Sequence, residues 1–165
     1  MAAYTPASVT VTNIIDGCCD LYIDDTLDIH LGSTTESIKI ENKREYEDII
    51  VEQCVGSVGK LLTNETCTIT GVLAEATLAN LKYLIGDGTD AGFGSNAGEA
   101  GKGFLIKTKG VGGTTRTFTI KKGIISTGTT VEMAKGKVNA LPFTIDCYKD
   151  ASASDGAQFW TVADA

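Results

Sequence analysis

The feature that most constrains this chain is a two-residue alternation of apolar and polar side chains that recurs along its length. It is clearest late, where Leu141, Phe143, Ile145 and Cys147 alternate with Pro142, Thr144, Asp146 and Tyr148. Successive side chains of a strand point to opposite faces, so this period describes strands with one buried face. The pattern also sets Val9 and Val11 against Thr10 and Thr12, and Ile38 and Ile40 against Lys39 and Glu41. Cys67, Ile69 and Gly71 face away from Thr68, Thr70 and Val72. Leu21 and Ile23 precede an acidic turn at Asp24-Asp25, and a short run from Phe159 to Val162 comes near the end. Phe104 and Ile106, then Phe118 and Ile120, outline a hairpin that turns within Gly110–Gly113. Lysines on its polar face guard against uncontrolled edge pairing.

One segment has a different period. Ala74, Leu78, Leu81 and Ile85 fall on a single helical stripe, Glu75 suits the positive end of a helix dipole, and Gly86 suits a stop. A short helix is therefore expected over 75–85. Two segments show neither period and are expected to be irregular. Residues 41–60 begin polar and charged and run through Ile49-Ile50-Val51 to Gly56 and Gly59. Residues 86–103 contain seven glycines, and a loop of that length in a small domain usually has a role or no fixed shape.

At 165 residues the chain suffices for one domain with one core. No Lys or Arg precedes Lys39 and no apolar run approaches a bilayer's thickness. The expectation is a soluble protein made in a cytoplasm. The formal charge of −7 is unevenly spread. Residues 1–38 hold six acids and no base, whereas residues 102–137 hold eight bases and one acid, Glu132. The basic segment lacks the interleaved aromatics of a nucleic-acid reader. Opposite charge on one molecule suits head-to-tail association, with the two segments setting the polarity between copies.

Chemistry is sparse. There is no nucleophile elbow, no HExxH and no P-loop, because Asn96 and Gly103 occupy positions where the latter needs Gly and Ser or Thr. A calcium loop starting at Asp87 would place Ala91 and Gly98 at ligand positions. The one histidine, His30, excludes an ordinary zinc set with the five cysteines, which form no CxxC pair. No catalytic residue, cofactor site or metal site is expected. Cys67 and Cys147, inside strand patterns, are expected to be small buried hydrophobes. Cys18 and Cys19 are neighbours on opposite strand faces, which makes them candidates for a disulfide between subunits.

The order of these features resembles bacteriophage tail tube proteins, also called major tail proteins, from about Asp20 to Asp164. The resemblance is carried by Leu31-Gly32, by Glu45-Tyr46-Glu47-Asp48-Ile49 and Val51-Glu52-Gln53, and by Gly56-Ser57-Val58. It continues in the strand leading to Leu73-Ala74-Glu75-Ala76-Thr77-Leu78-Ala79-Asn80-Leu81, then Leu141-Pro142-Phe143-Thr144-Ile145 and Phe159-Trp160-Thr161-Val162. The glycine-rich loop and the number of cysteines depart from the family pattern.

The resemblance implies a mainly β domain, a two-sheet β-sandwich or half-barrel with one flanking helix. It implies six-fold rings stacked into a hollow tube that passes double-stranded DNA without specific binding, through an acidic or neutral lumen that does not hold phosphates. Residues 1–15 would be an N-terminal arm and residues 41–60 a stacking loop, with Lys43, Arg44, Glu45, Tyr46, Glu47 and Asp48 at the inter-subunit contact. Partners would be other copies and other tail proteins: tape measure, tail terminator, baseplate or tip, and in a contractile tail the sheath. The protein would reside in the virion tail after assembly in the host cytoplasm. Alternatives are the tube of a contractile tail or related injection machine and, from another class, a capsid decoration or ligand-binding β-sandwich.

Overall fold

The computed structural model describes residues 15–24, 29–50, 56–74, 77, 82, 84, 101–110, 113–126, 140–154 and 156–164. The described strands are β1 (Ile15–Asp24), β2 (Ile29–Ser33), β3 (Lys39–Ile50), β4 (Ser57–Leu73), β5 (Lys102–Gly110), β6 (Thr115–Ser126), β7 (Leu141–Cys147) and β8 (Trp160–Asp164). All pair antiparallel in one sheet of order β2-β1-β5-β6-β7-β4-β3, with β8 on β6. The fold is thus mainly β, as the alternation requires.

The strands do not divide into two sheets, because β6 keeps the hydrogen bonding continuous. Its first half pairs with β8 and its second half with β7, both on the side away from β5. The sheet is curled and not closed. Thr34, just past β2, forms an isolated bridge to Leu73 at the end of β4, flanked by Thr35 N–H to Val72 O at 3.0 Å and Ala74 N–H to Ser33 O at 2.9 Å. Strands near opposite ends of the hydrogen-bonded order therefore meet at one corner.

That curl encloses the core. Leu21, Ile23, Leu31, Ile69, Leu73, Phe104, Ile106, Ile120, Leu141 and Ile145 are fully buried, and Ile38, Ile40, Phe118 and Trp160 pack against them. β7 alternates buried and half-buried along its whole length. Pro142 lies beyond the last β6 pair, where among the described residues one side of the strand has no partner, a position that tolerates proline. Cys67 and Cys147 are buried as expected.

Other expectations meet different outcomes. The hairpin over 104–126 is present as β5 and β6. The helix over 75–85 lies mostly outside the described residues; of it, Lys82 and Leu84 are helical and Leu84 reaches the core. The arm over 1–15 lies outside them up to Ile15, which begins β1, and of the loop 86–103 only residues 101–103 are described, the last two starting β5. The described residues of 41–60 are almost all strand and not irregular. Residues 41–50 belong to β3 and 57–60 to β4, paired in register from Lys39 opposite Thr70 to Ile50 opposite Ser57. The charge asymmetry also has an internal component. β1, with Asp16, Asp20 and Asp24, lies beside the basic β5, and Asp20 stands opposite Lys107 in the same molecule.

Candidate assembly interface

β4 is 17 residues long, but β7 accompanies only its last seven, Cys67 to Leu73. From Thr66 back to Ser57 its sole partner among the described strands is β3, so these two strands leave the described sheet as a two-stranded arm. Register shifts at Glu45/Tyr46 and Ile49/Ile50 interrupt the pairing, and such bulges bend and twist a ribbon. Residues 51–55, which join the two strands, lie outside the described residues.

The arm is unusually apolar for its exposure. Tyr46, Ile49, Ile50, Val58, Leu61 and Leu62 are all exposed, Ile50 at 75% and Leu61 at 57%. They account for most of the large exposed hydrophobics among the described residues; Tyr148 and Val162 are the others. The register puts them on both faces of the ribbon. Tyr46 stands opposite Leu62, whereas Leu61 opposes Glu47 and Ile49 opposes Gly59 on the alternate positions. A ribbon with one apolar face could lie on a surface. One with two needs cover on both sides.

Polar side chains fix the arm internally and at its root. Thr63 Oγ1 donates to the Glu45 carbonyl at 3.1 Å, Asn64 Nδ2 to Glu45 Oε2 at 3.3 Å, and Ser57 Oγ to Asp48 Oδ1 at 3.3 Å. At the root, Glu65 receives Arg44 Nε and Lys149 Nζ, each at 2.7 Å, its side chain only 15% exposed. Lys149 and then Arg44 hold the Glu65 carboxyl below its ordinary pKa against the opposing effect of desolvation. Trp160 Nε1 donates to Asn42 Oδ1 at 3.2 Å, tying β8 to β3 across the concave face. Between them is an open cleft of about 760 Å³ walled by Tyr46, Phe159 and Trp160, with Arg44 and Glu65 also on its lining.

No protein-family model matches this chain, and no curated protein matches it either.

Lys43, Arg44, Glu45, Tyr46, Glu47 and Asp48 all lie exposed on the β3 half of the arm, so the structure brings the proposed contact residues onto one element. Arg44, Glu45 and Asp48 are engaged within the chain. On the other strand Val58 falls within the expected 41–60 contact segment, whereas sequence reasoning missed Leu61 and Leu62. Their signal was an apolar cluster that β4 sets across from Tyr46 to Ile50 once the hairpin is recognised. Cys19 is buried in the core of the lone chain, and the Cys18 side chain lies outside the described residues. His30 is exposed, its Nε2 3.6 Å from Asp20 Oδ1, which also accepts from Ser33 Oγ, and its ring is tilted against Tyr22. Among the described residues no three His, Cys, Asp or Glu side chains are grouped to hold a metal.

Proposed function

We propose that the protein is a non-catalytic structural subunit that polymerises through the β3–β4 arm, and that its polymer is a phage tail tube of stacked six-fold rings. The single observation that carries this reading is the arm: a ribbon paired only to itself among the described strands, with large apolar side chains exposed on both faces. An isolated two-stranded ribbon is marginal in water. Burying those residues between copies supplies the stabilisation at about 25 cal/mol per Å² of apolar area. The curled single sheet, with exposed edges at β2, β3 and β8 among the described strands, supports the half-barrel form that the resemblance implies, since edges joined between subunits cease to be edges. Double-stranded DNA would pass through the lumen, and other tail proteins would cap or fill the tube.

The test is electron microscopy of the purified chain beside the Leu61→Asp/Leu62→Asp double variant. Hollow rings or tubes of uniform width from the wild type, and folded monomers from the variant, are the expected result. A variant that polymerises like the wild type would remove the arm from the interface. Discrete trimers of the wild type at every concentration would favour a capsid decoration role. The aromatic-walled cleft beside Trp160 favours a second reading, a ligand-binding module, which predicts saturable quenching of the single tryptophan by a small ligand.

A further inference from the structure

Cys67 of β4 and Cys147 of β7 stand directly opposite each other in the antiparallel register. They are the last pair that β4 makes with β7; beyond Cys67 the strand becomes the arm. Both are buried, at 3% and 8% exposure, and Tyr148, immediately after Cys147, is open to solvent. Opposed residues of such a pair have Cα atoms about 4.5–5.5 Å apart, within the range of about 4.4–6.8 Å that a disulfide spans. Their Cβ atoms stand roughly 4.5–5.5 Å apart against about 3.5–4.5 Å in a disulfide. Closing the bond therefore draws the two strands together, and a bond made with such distortion is readily reduced again.

We propose that Cys67 and Cys147 are a redox-active thiol pair that forms a reversible cross-strand disulfide, bonding the root of the arm to β7. The order of events follows from the contact between them. The Cys147 thiol donates to the Cys67 sulfur, which holds Cys67 below the usual thiol range and pushes Cys147 up. Cys67 is then the attacking thiolate. It attacks one sulfur of a small disulfide such as oxidised glutathione and displaces one thiolate. Cys147, losing its proton, attacks the Cys67 sulfur of the mixed disulfide and expels the second. The two protein thiols give up two protons and two electrons, and the electrons leave with the two small thiols. Both sulfurs are buried, so attack on a small disulfide requires local opening of the β4–β7 pairing at Cys67 and Cys147. The pair stands whether or not the chain polymerises.

The chain is well suited to the test. Cleavage after Lys60, Lys82, Lys137 and Lys149 leaves Cys67 alone on peptide 61–82 and Cys147 alone on peptide 138–149. The folded chain is incubated with oxidised glutathione, acid-quenched, alkylated in denaturant and digested without reductant. The expected product is peptide 61–82 linked to 138–149, two hydrogens lighter than their sum and abolished by dithiothreitol. Cys147→Ser is expected to stop with glutathione on Cys67, and Cys67→Ser to slow modification of Cys147 by about tenfold or more. Recovery of both peptides alkylated, or of Cys67 linked to a peptide carrying Cys18, Cys19 or Cys54, would overturn the proposal.

Discussion

The two halves of β4 are made of similar residues and meet different fates. From Cys67 to Leu73 the strand has β7 on one side throughout and β3 on the other as far as Thr70, and its alternate positions Cys67, Ile69 and Leu73 are buried. From Ser57 to Thr66 it has β3 alone among the described strands, and Val58, Leu61 and Leu62 are exposed. Apolar content does not separate them, since both halves carry Leu, Val and Thr, although only the first also carries Lys60, Asn64 and Glu65. What separates them is the number of neighbours. A strand with partners on both sides and a curled sheet over one face has a core to fill. One with a single partner has none in its own chain.

The largest expected effect comes from placing the same charge in each half. Ile69 is fully buried among Ile40, Ile145 and the rest of the core, so Ile69→Asp strands a carboxylate without a partner. That costs several kcal/mol, roughly a small domain's whole stability. The variant is expected to be unfolded by circular dichroism. Leu61→Asp, eight positions earlier on the same strand, is expected to shift the urea midpoint of the monomer by an amount worth no more than about 0.5 kcal/mol and to prevent assembly. Equal destabilisation by the two would break the contrast between body and arm.

This contrast also explains what the sequence did and did not disclose. Period-two patterning is written by burial of one face, so Leu141–Cys147, Cys67–Gly71 and the hairpin 104–126 were legible at once. The arm buries neither face in a lone chain, and its apolar residues fall on both. Its pattern between Glu41 and Lys60 therefore carries no period, and the segment reads as loop although 41–50 and 57–60 are strand. The β3 contact residues were placed by resemblance. Their partners Leu61 and Leu62 were not, because only the register reveals them. Charge had a similar fate: the acidic and basic segments are evident in composition, but their adjacency as β1 and β5 is a property of topology.

A pair of glycines on β4 sharpens the contrast at intermediate size. At Gly71 an added Cβ would stand 2.7 Å from Phe143 Cζ, 2.9 Å from Phe143 Cε1 and 3.3 Å from Ile38 Cγ1. Phe143 is buried and cannot swing away freely, so Gly71→Ala is expected to cost about 1–3 kcal/mol through overpacking. At Gly59, in the arm, the nearest atom would be Ile49 Cδ1 at an ordinary 3.7 Å. Gly59→Ala is expected to be neutral or stabilising by up to about 1 kcal/mol, since it restricts the unfolded chain. Chemical denaturation of the two variants side by side measures the difference, and a costly Gly59→Ala would mean that the arm is packed in the monomer.

The smallest effect is expected at the junction between the halves, where Glu65 joins Arg44 of the arm to Lys149 after β7. Its carboxyl is held below the ordinary value near 4.5 by Lys149 and then Arg44, so the folded state favours the ionised form more than the unfolded state does. The resulting stabilisation is complete above the unfolded value and disappears as the pH falls through the lower folded value. Acidification from pH 5 to pH 3, on the order of one unit either side of an ordinary glutamate, should therefore weaken the wild type more than Glu65→Gln, which has no charge to lose. Because Arg44 is solvent-exposed, salt near 1 M, where the screening length is about 3 Å, should shrink that difference. Amide exchange would locate the loosening. Faster exchange in Arg44–Tyr46 and Leu62–Glu65 at low pH, with Ile69–Leu73 unchanged, is expected if the ion cluster secures the arm to the body. Uniform acceleration along the whole of β4 would mean that the strand opens as one unit and that the division at Cys67 has no energetic counterpart.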